Sequence, residues 1–186
     1  MKRYFKYAVT ATVLLAIAAI GVFILRPDAT GAQDWGHDQG FSNSLRADLI
    51  SFNQVPAVLA ASHGHFEAEI NADNSISFEL SYSDMSSPVT QAHIHFGASR
   101  TNGGIMVFLC GGAKPACPAS GTITGTLTAP DVSVLPVGNA DSVLPQGIAP
   151  GDFAGVIEAI HSGNSYVNVH TTNFPSGEIR GQVQFR

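Results

Sequence analysis

From residue 45 onward, apolar and polar residues alternate with a period of two through much of the chain. That is the pattern of strands with one face in a core and one face toward water. It is cleanest over His63 to Ile70, where Gly64, Phe66, Ala68 and Ile70 fall on one side and His63, His65, Glu67 and Glu69 on the other. Asn71-Ala72-Asp73-Asn74 reads as a turn, and Ile76, Phe78, Leu80 and Tyr82 then alternate with Ser77, Glu79, Ser81 and Ser83. The two stretches predict a hairpin with one wet face. Leu45 to Gln54 predicts an earlier strand stopped by Pro56, and Val89 to Gly97, Ile105 to Cys110 and Gly121 to Leu127 predict three more. Residues 129–151, with four Pro, read as a long connection. Asp152 can cap a short helix whose apolar stripe is Phe153, Val156, Ile157 and Ile160, ended by Gly163. Tyr166 to Thr171 and Glu178 to Phe185 predict two closing strands. The fold class is all-β, an antiparallel Greek-key β-sandwich with one short helix.

The N-terminus breaks the pattern. Lys2, Arg3 and Lys6 precede an apolar run from Ala8 to Leu25, which Arg26-Pro27 stops. As a helix this run would be roughly 27 Å long, just enough to cross a bilayer. Residues 1–27 are therefore expected to be either a signal peptide cut near Thr30-Gly31-Ala32 or an uncleaved membrane anchor. Residues 28–44, rich in Gly, Asp, Gln, Asn and Ser, are expected to be a linker to a domain over 45–186. Either form of the leader places the domain outside the cytoplasm: periplasmic, secreted or anchored on the outer side. Export bears on the two cysteines. In an oxidising compartment Cys110 and Cys117 can close a small disulfide loop; the alternative is a thiolate metal site.

The net charge of −5 and the 12% share of charged residues argue against a nucleic-acid partner, which needs clustered Lys and Arg. The informative composition is seven His beside nine Lys plus Arg. In Ala92-His93-Ile94-His95-Phe96-Gly97 the apolar residues share one strand face, and His93 and His95 share the other. Two such imidazoles stand roughly 6 to 7 Å apart along a strand and can reach one ion. Tyr166-Val167-Asn168-Val169-His170-Thr171 repeats the logic, with Asn168 and His170 on the polar side. His93, His95 and His170 are the candidate metal ligands, expected on a solvent-facing surface of the sheet. Imidazole suits copper and zinc, and copper is favoured by the affinity order and an oxidising compartment. His63 and His65 form a second His-x-His pair, which could complete that site, bind a separate ion or sit on an exposed edge. Glu178 could accept from the free N–H of a ligand His, with Asn168 in a similar supporting role. The alternative for Glu178 is a surface ion pair with Arg180. Among motifs for enzymatic chemistry, neither a Gly-x-Ser-x-Gly elbow nor a phosphate-cradling loop appears.

Gln54-Val55-Pro56, Ala92 to Gly97, Ser162 to Thr171 and Gly177 to Gln182, taken in order, resemble the CHRD domain first described in chordin. The resemblance runs from about residue 45 to the C-terminus. It implies an extracytoplasmic β-sandwich module and no general biochemical activity; in chordin the module belongs to a protein that binds growth factors. An interaction module for a protein or cell-surface partner, with no metal, is thus the alternative function. A second resemblance is to the copper-ligand strands of copper–zinc superoxide dismutases. It implies a superoxide-dismutase- or immunoglobulin-like sandwich, with His93, His95 and His170 standing where three copper ligands stand. The chain lacks a bridging-His block, a zinc-loop cluster and an electrostatic-loop Arg motif, which puts a dismutase-like enzyme last among the expectations.

Overall fold

The computed structural model describes residues 42–119 and 121–186. The chain divides into two units, Met1–Gly36 and His37–Arg186, and the description concerns the second. The expected leader (1–27) and most of the linker (28–44) lie outside the described residues. Among the described residues no helix is long and apolar enough to cross a membrane.

Among the described residues, nine strands form one antiparallel sheet. They are β1 (Ser44–Ile50), β2 (His63–Ile70), β3 (Ile76–Ser83), β4 (Val89–Phe96), β5 (Ile105–Cys110), β6 (Gly121–Leu127), β7 (Ser165–Thr171), β8 (Ile179–Gln182) and β9 (Gln184–Phe185). Their spatial order is β5-β4-β7-β8-β1-β2-β3-β6, with β9 also pairing β1. The sheet curls into a nearly closed barrel. Single bridges from Ile105 to Ser142 and from Val107 to Val132 cover the edge of β5, so the long 128–143 connection serves as the seam. An edge capped in this way offers fewer free backbone groups to a foreign strand.

The inward faces are the ones the alternation predicts. Leu45, Ala47 and Leu49 of β1, Phe66 and Ile70 of β2, and Ile76, Phe78, Leu80 and Tyr82 of β3 are buried in one core. Ala92 and Ile94 of β4, Val107 and Leu109 of β5, and Val167 and Val169 of β7 join it. Helix α1 (Phe153–His161) has Asp152 as its N-cap, whose carboxylate accepts from the Gly155 N–H at 2.9 Å. Its Phe153, Val156, Ala159 and Ile160 are buried. Cys110 and Cys117 are bonded to each other, which rules out the thiolate site. A loop this short contributes about 2–3 kcal/mol in the chain-entropy account.

Two boundaries differ from expectation. The first strand ends at Ile50 rather than Gln54, because the chain turns into a 3-10 segment at Ser51–Asn53. Backbone bonds from Gln54 N–H and Val58 N–H to the Ser51 carbonyl hold that turn. The last strand is broken at Val183, whose N–H donates to the Ser165 carbonyl. β8 thereby pairs with β7 and β1, whereas β9 pairs with β1 alone.

Replacing Phe66, fully buried between facing strands, by Ala should cost about 3–5 kcal/mol. Asp152→Ala should cost about 1 kcal/mol by removing a helix cap. Denaturant midpoints at unchanged m-value check both.

Candidate metal centre

The antiparallel pairing of β4 with β7 assembles the site. His93 lies opposite Asn168, His95 opposite Tyr166 and Gln91 opposite His170. His170 is therefore diagonal to His93 on the same face, within reach of its ring. The ring centroids of His93 and His170 are 4.5 Å apart, and those of His93 and His95 are 4.6 Å apart. One ligand atom from each of the three residues lies within 4.8 Å of the others. On the other side of β4, the pairing with β5 skips Leu109 and Met106 at two register shifts, and Phe108 comes opposite His93. The Phe108 ring stands edge-on to His93 at 5.3 Å.

This face is dry, not wet as its polar composition suggested. His93, His95 and His170 are 0%, 4% and 6% exposed. The loops after β1, β4 and β7 fold over the polar face and bond to it. His95 Nδ1 is 2.7 Å from the Gly103 carbonyl and His170 Nδ1 is 2.8 Å from the Pro175 carbonyl. Gln54 Nε2 donates to Asn168 Oδ1 at 2.6 Å. Two glycines are needed for this closure. A Cβ on Gly103 would strike the Phe96 carbonyl, and Gly177, at φ +111°, lies where a Cβ would strike the Asn168–Gln54 pair.

The carbonyl contacts determine the chemistry. A carbonyl only accepts, so Nδ1 of His95 and of His170 carries the proton, and each Nε2 is a bare lone pair. Neither Nε2 has a partner, nor has either nitrogen of His93. Of the six buried side-chain polar atoms without a partner among the described residues, four are thus nitrogens of this one group. Buried polar atoms normally find partners, and converging lone pairs repel. A cation at the centre would accept one lone pair from each ring and remove that repulsion, leaving the other His93 nitrogen to carry its proton. Burial keeps the group neutral as such a ligand set requires. It drives His93 well below the ordinary imidazole value, with the charges of His95 and His170 adding to the effect. Burial, opposed by the Gly103 hydrogen bond and reinforced by His170 and Arg180, pushes His95 down to about 3. His170 is also lowered by burial, against the Pro175 bond and Asp141, which raise it.

The other sequence candidates fall elsewhere. β8 and β1 separate β2 from β7, so His63 and His65 do not complete the group. His65 contacts Asp48 at 2.8 Å and Glu67 at 3.3 Å, and His63 contacts Ser83 at 2.9 Å, all on an exposed face. Glu178 does not accept from a ligand histidine, since carbonyls hold that role. Its carboxylate receives Ser86 N–H at 2.8 Å, Ser86 Oγ at 2.7 Å and Thr171 Oγ1 at 2.5 Å. Burial alone would raise its pKa, but these bonds hold it below the usual value. Nor does Glu178 pair with Arg180 at the surface, for both are buried. The Arg180 guanidinium lies 3.4 Å from the Tyr166 ring centroid and donates to the carbonyls of Thr101 and Ala98 at 2.7 and 3.3 Å. Among the described residues it has no carboxylate partner.

Sequence reasoning missed Tyr166, Arg180, Phe108 and Gln54. Tyr166 was findable, because strict alternation places it on the face of Asn168 and His170; its ring stacks on His95 at 4.5 Å and 7°. The two carbonyls had no signal in the sequence.

No curated protein and no solved structure matches the chain. The CHRD domain profile matches residues 45–183, a span that takes in both histidine strands, the Gln54 loop and Arg180. The chain belongs to the CHRD domain family.

Proposed function

We propose that the protein is an exported metal-binding CHRD module that holds one ion, copper in preference to zinc, between His93, His95 and His170. Storage, delivery or redox chemistry of that ion is the role. The observation that carries the reading is the pair of bare Nε2 lone pairs, oriented by the Gly103 and Pro175 carbonyls and grouped with His93 in a buried spot. A structural histidine cluster would place N–H donors against lone pairs, and none of these nitrogens does so. Imidazole donors suit copper and zinc, and the affinity order favours copper. The Cys110–Cys117 disulfide supports an oxidising, extracytoplasmic compartment.

One observation favours a protein or cell-surface partner as a second reading. Phe52 and Leu59, in the loop after β1, are 60% and 86% exposed. Large apolar side chains at a loop surface suit contact with another macromolecule. This reading needs no metal, so metal analysis separates the two.

Elemental analysis of the purified full-length protein after copper loading and desalting should find about one ion per chain. His93→Ala and His170→Ala should each abolish it, while His63→Ala leaves it unchanged. Copper retained by the His93 and His170 variants would overturn the reading. Metal at a hundred times its Kd should raise unfolding stability by about 2.7 kcal/mol.

The metal-free protein should also lose stability in acid. Unfolded imidazoles titrate near 6.5, whereas His95 in the fold titrates near 3. Between those values the unfolded chain binds the extra protons, so stability falls as pH drops through the window and is level above it. His93 and His170, also lowered, act in the same sense. His65, raised by Asp48 and then Glu67, acts in the opposite sense but is exposed and screened. Thermal midpoints from pH 8 to pH 4 check the slope, and a flat profile would contradict it.

A further inference from the structure

Resting on the metal-site reading above, we infer that the site selects by ionic charge, taking monovalent copper, Cu(I), in preference to Cu(II) or Zn(II). Three observations carry this. First, the donors are three imidazoles with no carboxylate in the group, so the ligands bring no negative charge. Second, the site is buried. The cost of moving an ion out of water rises with the square of its charge, about fourfold from one unit to two. A carboxylate ligand would offset part of that cost for a divalent ion, and the group contains none.

Third, a fixed cation already stands next to the site. Arg180 is 2% exposed and packs on Tyr166, and Tyr166 stacks on His95. Only the Tyr166 ring lies between its charge and the His95 ring. The guanidinium is held by backbone carbonyls, the Asn102 side chain and an aromatic face, and among the described residues no carboxylate pairs with it.

The carboxylates of Asp141 and Glu178 do not enter the ligand group. Asp141 is exposed, so solvent screens its charge. The Glu178 carboxylate is bonded to Thr171 Oγ1. Thr171 alternates with His170 along β7, so that bond points to the opposite face of the sheet. The Arg180 charge beside His95 therefore adds a repulsion that grows with the charge of the guest. Cu(I) meets half the Arg180 repulsion of a divalent ion and the smaller desolvation cost. It also accepts three neutral donors without a fourth ligand.

The test is a set of three competition titrations on purified full-length protein at pH 7. Cu(I) is titrated anaerobically against bicinchoninate, Cu(II) against nitrilotriacetate, and Zn(II) against a chromophoric chelator. Cu(I) should bind about 100-fold or more tightly than either divalent ion, and removing one unit charge near the site should narrow that ratio about tenfold. Arg180→Met should produce this narrowing, and Arg180→Lys, which keeps the charge, should largely preserve the wild-type ratio. Cu(II) or Zn(II) binding as tightly as Cu(I) would overturn the inference while leaving a metal site in place. An unchanged ratio in a folded Arg180→Met protein would also overturn it. If Arg180→Met does not fold, the wild-type ranking decides alone. If none of the three ions binds, the metal-site reading fails and takes this inference with it.

Discussion

The structure turns on the register between β4 and β7, two segments far apart in the chain that lie side by side in the sheet. That pairing separates two kinds of face. On one, Ala92, Ile94, Val167 and Val169 enter the apolar core. On the other, His93, His95, Tyr166, Asn168 and His170 form a polar layer that is nevertheless buried. A slip of one residue would exchange the two layers, placing imidazoles in the core and valines under the loops. The core therefore enforces the register, and the register in turn places the histidines.

The polar layer has its own structural demands. Imidazoles, an amide, a phenol and a guanidinium are removed from water together, and each must be satisfied locally. The loops supply most of what is needed through main-chain carbonyls, which are rigid acceptors fixed by the fold. Gly103 and Pro175 orient two rings, while Thr101 and Ala98 receive Arg180. Among the described residues, the histidine nitrogens left over are concentrated at one point between three side chains. In ordinary imperfect packing unsatisfied atoms are scattered, whereas a ligand set would gather them in this way.

Much of this architecture could be read beforehand. The period-two alternation of β2 and β3, the apolar run of β5 and the Asp152 cap were each visible because they are local: neighbouring residues decide them. The pairing of His93 and His95 on one face was legible for the same reason. That His170 would join them was legible only in part. Its face followed from alternation, but its distance depended on which strand becomes the neighbour of β4. The assignment of that face to solvent was wrong because loop coverage is not periodic. The supporting role expected of Glu178 failed similarly, since carbonyls of Gly103 and Pro175 leave no trace in side-chain chemistry.

By itself the sequence determined the strands, their two faces, the capped helix, the family motifs and the short Cys110–Cys117 spacing. All of these arise from interactions between residues near one another along the chain. Only the tertiary structure decided that the face carrying the histidines is dry, that carbonyls set their protonated nitrogens, and that a buried guanidinium with no carboxylate partner among the described residues lies beside them. Those properties depend on which distant loop comes to rest over a given strand, and no local pattern of residue types encodes that.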